Sequence, residues 1–338
     1  MATYKLTPDT GEVSGTNTDM PLVVIPSDIT NFPSLTSAEA ESIRFYSDAS
    51  LSTELPREVV SADEIHVKVS SVSSSTEIWA DYDGIRSDYA VTATYGAEAV
   101  WSDYEFLSHD GGGTDSTGNH SPSPGGSVTA GGATGKIGDA TDYDGIDDYF
   151  DLGSSVLFGA NVTVQYWTKT PSSSGIESVQ TTKDSSTRRF TVFHRQDASP
   201  KKIQAYIRDQ SGSADYSGYF DEDIYNDAWH KVEWTIDDSA EIIYAYTDGT
   251  LVNSIGIESG ESWGGFTPNQ ATYIGGEVEF NRRYYDGLFD EYRIRNSYLD
   301  SNWRTTEYNN QNDNAAFWVA TEEVTVTASP IAHILQMI

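Results

Sequence analysis

The sequence predicts an all-β protein, and three observations carry that prediction. Gly (28 residues), Ser, Thr and Asp are abundant and fall in clusters that read as turns, while long helical patterns are missing. Short runs alternate apolar and polar residues instead, as Ile65, Val67 and Val69 do with His66 and Lys68, the period of a half-buried strand. With 37% hydrophobic and 12% aromatic residues, a chain of 338 residues can bury a sizeable core, enough for two units or for one large sandwich with a smaller companion.

Residues 1–16 are polar and turn-rich and are expected to form an arm. From Met20 the pattern changes: PLVVIP (21–26), SIRFYS (42–47), EIHVKV (64–69) and TEIWADYD (76–83) are short β-rich runs bounded by Pro, Asp and Ser. This succession, over about residues 17–100, resembles a domain of unknown function from bacteria and archaea that commonly precedes a laminin-G-like module. The chain has Asp83-Gly84 where that family usually closes with a Tyr-Gly-Asn turn. The expectation is a small N-terminal β-sandwich at 17–101.

The next stretch, 111–135, is rich in Gly, Ser and Pro and alone would read as a linker. It contains Asp115-Ser116-Thr117-Gly118-Asn119, and residues 138–149 read GDATDYDGIDDY. Further on come VTVQYWTKT (162–170), the pair Trp229-His230 before the alternating Val232, Trp234 and Ile236, a hairpin signal at Asp248-Gly249, and ATYIGG (271–276). Residues 286–310, DGLFDEYRIRNSYLDSNWRTTEYNN, place an apolar strand with an Asp-Glu pair directly before one short helix and an Asn-rich stop. Taken in order, these motifs resemble the laminin-G/pentraxin-type domain, with Tyr143 standing where that family has Phe. The resemblance covers about residues 102–312 and implies a concanavalin A-like jelly-roll β-sandwich at 102–314. Residues 315–338 lie outside the pattern: Phe317 to Val326 reads as a strand, and Ile331 to Ile338 as an apolar tail that docks on a partner, on another copy, or back on its own sandwich.

Charge excludes some functions. Against 20 Lys and Arg stand 52 Asp and Glu, a net charge of −32, so a basic surface for nucleic acid is not available. Such self-repulsion destabilises a compact chain in dilute buffer and is screened at molar salt, where the Debye length is roughly 3 Å. The acids are scattered through both halves, a pattern resembling proteins of extreme halophiles. There is no cysteine, hence no disulfide. The opening MATYKLTPDTGEVSG lacks the basic and apolar regions of a secretory signal, and no run of 18 apolar residues occurs.

The sequence offers little for catalysis. Glucanases of the resembled fold carry Glu-x-Asp-x-x-Glu on one strand, and no such run is present. Asp290 and Glu291 are adjacent, so in a regular strand they face opposite ways, with Asp290 inward beside Leu288, Tyr292 and Ile294. The six histidines show no metal-ligand spacing, and there is no Gly-x-Ser-x-Gly elbow. No cofactor is certain. The resemblance implies calcium as the ion a rim site would take, with Asp142, Asp144, Asp147 and Asp148 around Gly145 as candidates; the same acids also read as turn and strand-edge residues. Candidate ligand contacts are Arg282, Arg283, Tyr284 and Tyr285, two planar cations beside two aromatics in an acidic chain, and Trp263 as a stacking ring for a sugar. The same tyrosines also read as strand residues.

These readings converge on a non-enzymatic recognition protein. The expectation is a surface protein of a halophilic virus, such as a spike, turret or tail-fibre subunit. Its lectin-like domain meets a host glycan or glycoprotein, and its tail meets other virion proteins or copies of itself. The alternative is a secreted or cell-surface glycan-binding adhesin of a halophilic archaeon.

Overall fold

A computed structural model describes residues 2–183, 189–208, 215–221, 223–256, 263–265 and 268–323. The architecture is all-β, with four antiparallel sheets arranged as a small N-terminal sandwich and a larger jelly-roll sandwich. The larger one pairs an eight-stranded with a seven-stranded sheet. In the first, the strands Asp286–Arg295 and Val162–Lys169 lie centrally, followed outward by Trp229–Asp237, Ile242–Thr247 and Thr250–Gly256. In the second, Asp215–Asp221, Lys202–Arg208, Arg189–Arg195 and Ile176–Lys183 run side by side. The alternation seen in the sequence sets the layers: Val232, Trp234 and Ile236 from one sheet meet Ile203, Ala205 and Ile207 from the other in a single core. Asp248 and Gly249 close their hairpin with φ of 51° and 72°, the left-handed pair that a two-residue loop requires.

The small sandwich consists of a five-stranded sheet and the three strands Asn17–Val24, Glu64–Val72 and Arg57–Ser61. Its core gathers Leu6, Leu22, Phe45, Val67 and Ile78. The first residues differ from the expected arm. Ala2–Pro8 is a strand inside the five-stranded sheet, between Ile78–Tyr82 and Trp318–Glu323, because Leu6 and Tyr4 alternate with Lys5 and Thr7 and bury one face. The expected C-terminal strand forms at Trp318–Glu323 and joins this N-terminal sheet. The apolar tail 331–338 lies outside the described residues.

The helix Ser301–Asn312 is capped by Asp300, whose side chain accepts the Trp303 N–H at 2.9 Å. It works as a two-sided wedge. Arg304, Glu307 and Gln311, spaced along one face, lie on the outer face of the eight-stranded sheet. There Glu307 takes Lys231 at 2.7 Å, Arg293 at 2.8 Å and Gln165 at 2.6 Å, all buried. Lys231, Glu233 and Thr235, the polar half of the Trp229–Asp237 alternation, are therefore covered rather than solvated. On the other face Trp303 enters the N-terminal core, and Asn310 bonds the backbone of Val23. The Asn-rich end is thus a docking surface as well as a stop.

One irregularity reorders the closing strand. Gln165 pairs with Arg293 and Trp167 with Asp290, so one residue of the inner strand faces two of the other, a bulge with Glu291 at φ 52°. Parity switches there. Phe289, Tyr292 and Ile294 face the core, whereas Asp290 and Glu291 both face away from it. This corrects the expectation that Asp290 points inward and that the two carboxylates take opposite faces.

Candidate functional site

The outward residues of the seven-stranded sheet form the most distinctive open surface. In Arg189–Arg195, Phe190, Val192 and His194 go inward, which leaves Arg189, Phe193 and Arg195 on the outer face, with Phe193 itself buried beneath Arg283. In Lys202–Arg208, Gln204, Tyr206 and Arg208 are the outward set. The cations lie over rings: Arg189 is 5.2 Å from the Tyr206 ring centre, Arg195 is 5.5 Å from Tyr219, and Arg283 is 5.1 Å from Phe193. Arg195 is fixed further by a bidentate pair with Asp197 at 2.8 and 2.9 Å and by Gln204 at 2.8 Å. That pairing holds the Asp197 carboxyl below the usual carboxylate range. A groove of about 200 Å³ runs among Arg189, Phe193, Arg195, Tyr206, Arg282 and Arg283.

Of the residues singled out from the sequence, three sit at this edge. Arg282 and Arg283 both bond the buried carboxylate of Glu277, at 2.7 and 3.0 Å, and Tyr284 donates to Asn281 at 3.0 Å. They also border a second depression of about 530 Å³ that reaches Asp144 and Glu177. Trp263 and Tyr285 are core residues instead, and this corrects their assignment as ligand contacts. The Trp263 indole donates to the Gly159 carbonyl at 2.8 Å and meets Phe190 edge to face. Tyr285 stacks on Phe289 at 3.8 Å with its hydroxyl on Thr168. With 1% and 0% exposure, neither ring face is open to a sugar.

Arg189, Phe193, Arg195, Tyr206 and Tyr219 were missed by sequence reasoning. A signal existed: the inward set Ile203, Ala205 and Ile207 fixes Gln204, Tyr206 and Arg208 as outward, and the same count on RFTVFHR puts Arg189 and Arg195 outward.

Burial pushes the Glu177 carboxyl up to about 7; one oxygen accepts from Ser173 and Gln196, and the other has no hydrogen-bond partner among the described residues. In the acidic loop, Asp144, Asp147 and Asp148 lie close enough to share an ion, and Asp142 does not join them. Asp148 accepts the N–H groups of Ser127 at 2.8 Å and Asp144 at 3.1 Å, and Asp144 accepts that of Ile146 at 2.8 Å, so these carboxylates shape the turn. Chemically, the open face combines planar donors with apolar ring faces, the two contacts a pyranose or furanose ring offers.

Residues 144–303 match the family model of the concanavalin A-like lectin/glucanases superfamily. No curated protein matches the chain. Similar solved structures include the binding domain of botulinum neurotoxin serotype D, at 15% identity and TM-score 0.48 over 62% of this chain and 51% of that one. Another is domain 4 of AbnA, a GH43 extracellular arabinanase from Geobacillus stearothermophilus, in complex with arabinotriose, at 19% identity and TM-score 0.45 over 60% and 97%. A third is the Ruminococcus gnavus IT-sialidase CBM40 bound to alpha2,3 sialyllactose, at 14% identity and TM-score 0.37 over 43% and 80%. The chain spans about half the length of the first of these structures. The residues lining the open face fall within the matched segment 144–303. Among the described residues, no helix is long and apolar enough to cross a membrane.

Proposed function

We propose that the chain is a non-enzymatic glycan-recognition protein that reads its ligand with the outer face of the seven-stranded sheet. The observation that carries this reading is a concentration of charge: Arg189, Arg195, Arg282 and Arg283 gather around Phe193, Tyr206 and Tyr219 in a chain with 20 cations against 52 acids. Arginine forks suit carboxylates and vicinal hydroxyls, and the Tyr206 and Tyr219 rings suit the apolar face of a sugar, so acidic glycans are the preferred class. The match to a lectin/glucanase family supports the same reading.

We place this activity on the surface of a virion of a halophilic virus, as a spike, turret or tail-fibre subunit meeting the host envelope. The scattered negative charge supports a high-salt setting. A surface adhesin of a halophilic archaeon would use the same face. Glycan-array binding in molar salt tests the recognition step, with Arg195→Ala and Arg283→Ala expected to weaken it at least tenfold. Wild-type affinity in both variants would overturn the assignment of this face. Mass spectrometry across a density gradient of particles from the source culture separates the two settings: co-banding with DNA-containing particles supports the virion role, and confinement to soluble or envelope fractions supports the adhesin.

A further inference from the structure

A second site lies between the two sandwiches. Glu64 and His66 alternate on the strand Glu64–Val72, whose opposite face, Ile65, Val67 and Val69, fills the N-terminal core. Their own face is covered by the large sandwich, where His109 follows the strand Tyr104–Ser108 and Glu291 sits on the bulge. All four side chains are buried, with exposures of 1% for Glu64, His66 and Glu291 and 6% for His109. One donor atom from each lies within 4.8 Å of all the others.

The donor atoms are close enough together to share one ion. His66 Nε2 is 3.1 Å from Glu64 Oε1 and 3.6 Å from Glu291 Oε1; His109 Nδ1 is 3.3 Å and 2.6 Å from the same two oxygens. A four-coordinate ion with bonds of roughly 2.0–2.1 Å has donor-to-donor edges of about 3.3 Å. The 3.1 and 2.6 Å contacts have hydrogen-bond length; what sets the group apart is that four donor atoms from four buried side chains converge within 4.8 Å.

The surroundings provide an independent observation. The other nitrogen of His109, Nε2, meets Glu58 Oε2 at 3.0 Å, and Glu58 is itself held by Ser116 Oγ at 2.7 Å and by the Trp101 indole. A carboxylate behind a histidine in this way fixes which nitrogen is free to ligate and raises its basicity. The second oxygen of Glu291 is held by Arg293. Gly138, at φ 56°, leaves room for the outer oxygen of Glu64, since a Cβ there would come within 2.0 Å of it. A cavity of about 470 Å³ bordered by Glu58, Glu64, His109, Asp110 and Asp139 gives an access path rich in carboxylates.

We propose that Glu64, His66, His109 and Glu291 form a four-coordinate site for a borderline divalent cation of the zinc class, which clasps the N-terminal sandwich to the large one. Two imidazoles with two carboxylates suit Zn²⁺ or Co²⁺ and offer too few oxygens for calcium. With four protein donors the site is closed, so its role is structural.

The test uses the full chain in molar salt, stripped with a chelator and titrated with Zn²⁺ or Co²⁺ alone. The expected result is one equivalent retained after dialysis, intense visible absorption of tetrahedral Co²⁺, and a higher unfolding temperature with the metal. Retention below a tenth of an equivalent, or an unfolding temperature indifferent to the metal, overturns the proposal. His66→Gln is expected to abolish retention, and a folded His66→Gln protein with wild-type stoichiometry also overturns it. Glu58→Gln leaves all four donors in place and is expected to weaken affinity about 10–100-fold; unchanged affinity overturns the role given to Glu58. Asp147→Asn, in the acidic loop, is expected to change nothing; loss of the bound equivalent there would move the ion to that loop and overturn the assignment.

Discussion

Asn310 holds Val23 by both of its backbone groups: its side-chain oxygen accepts the Val23 N–H at 2.7 Å, and its amide nitrogen donates to the Val23 carbonyl at 2.9 Å. The carbonyl has further donors in Asn314 and the Trp318 indole, whereas the N–H depends on Asn310. Asn310→Ala therefore orphans one buried donor and is expected to cost about 1–3 kcal/mol. Urea denaturation of the two proteins measures it, and a change within error would mean that water or another acceptor replaces the amide.

Glu307 is the shared counter-ion of Lys231 and Arg293 beneath the helix. Burial lowers the Lys231 pKa, and the Glu307 carboxylate opposes that shift. Glu307→Gln leaves a buried ammonium without its anion, and about 3–5 kcal/mol of stability is expected to go with it. Thermal unfolding followed by circular dichroism reads this loss. An equally stable variant would show that the network is not under tension.

Glu177 makes stability depend on pH. Burial raises its folded-state pKa to about 7, above the usual glutamate value of about 4.5. The folded protein therefore binds the proton more tightly than the unfolded chain does. The stabilisation is complete below about 4.5 and lost as pH rises through about 7, a change on the order of 3 kcal/mol. Glu177→Gln, which stays neutral, is expected to match the wild type near pH 4.5 and to exceed it in stability near pH 8. Parallel stability–pH curves for the two proteins would contradict this.

Net charge predicts the response to salt. At −32, the chain repels itself over a screening length that falls from about 10 Å at 0.1 M to about 3 Å at 1 M. Near-UV circular dichroism should weaken on dialysis to low salt and recover when salt is restored. An unchanged spectrum would remove the argument for a high-salt setting.

How much of this was legible in the sequence depended on whether the information was local. Period-2 alternation located Ile65, Val67 and Val69 and the inward set Val232, Trp234 and Ile236, because each side chain reports its own face. The bulge at Glu291 defeated the same counting for Asp290, since one extra residue inverts parity and nothing in DGLFDEYRIR marks where it falls. Trp263 and Tyr285 have the composition of a binding site, but burial depends on what packs over them. His66 and His109 are 43 positions apart with no spacing rule between them, and only the stacking of one sandwich on the other brings their rings to 4.3 Å. Asn310 looked like a helix terminator because its partner, Val23, lies at the other end of the chain.

The strand Trp318–Glu323, paired along Ala2–Pro8, has a consequence for biosynthesis. During translation the small sandwich emerges early, yet Ala2–Pro8 stays the edge of its sheet until residue 323 has left the ribosome, by which point the whole large sandwich has been made. An unpaired edge is a template for joining another chain. Pairing with Trp318–Glu323 then passes the edge position to that strand, so one small sheet is completed only by residues made on both sides of the large sandwich.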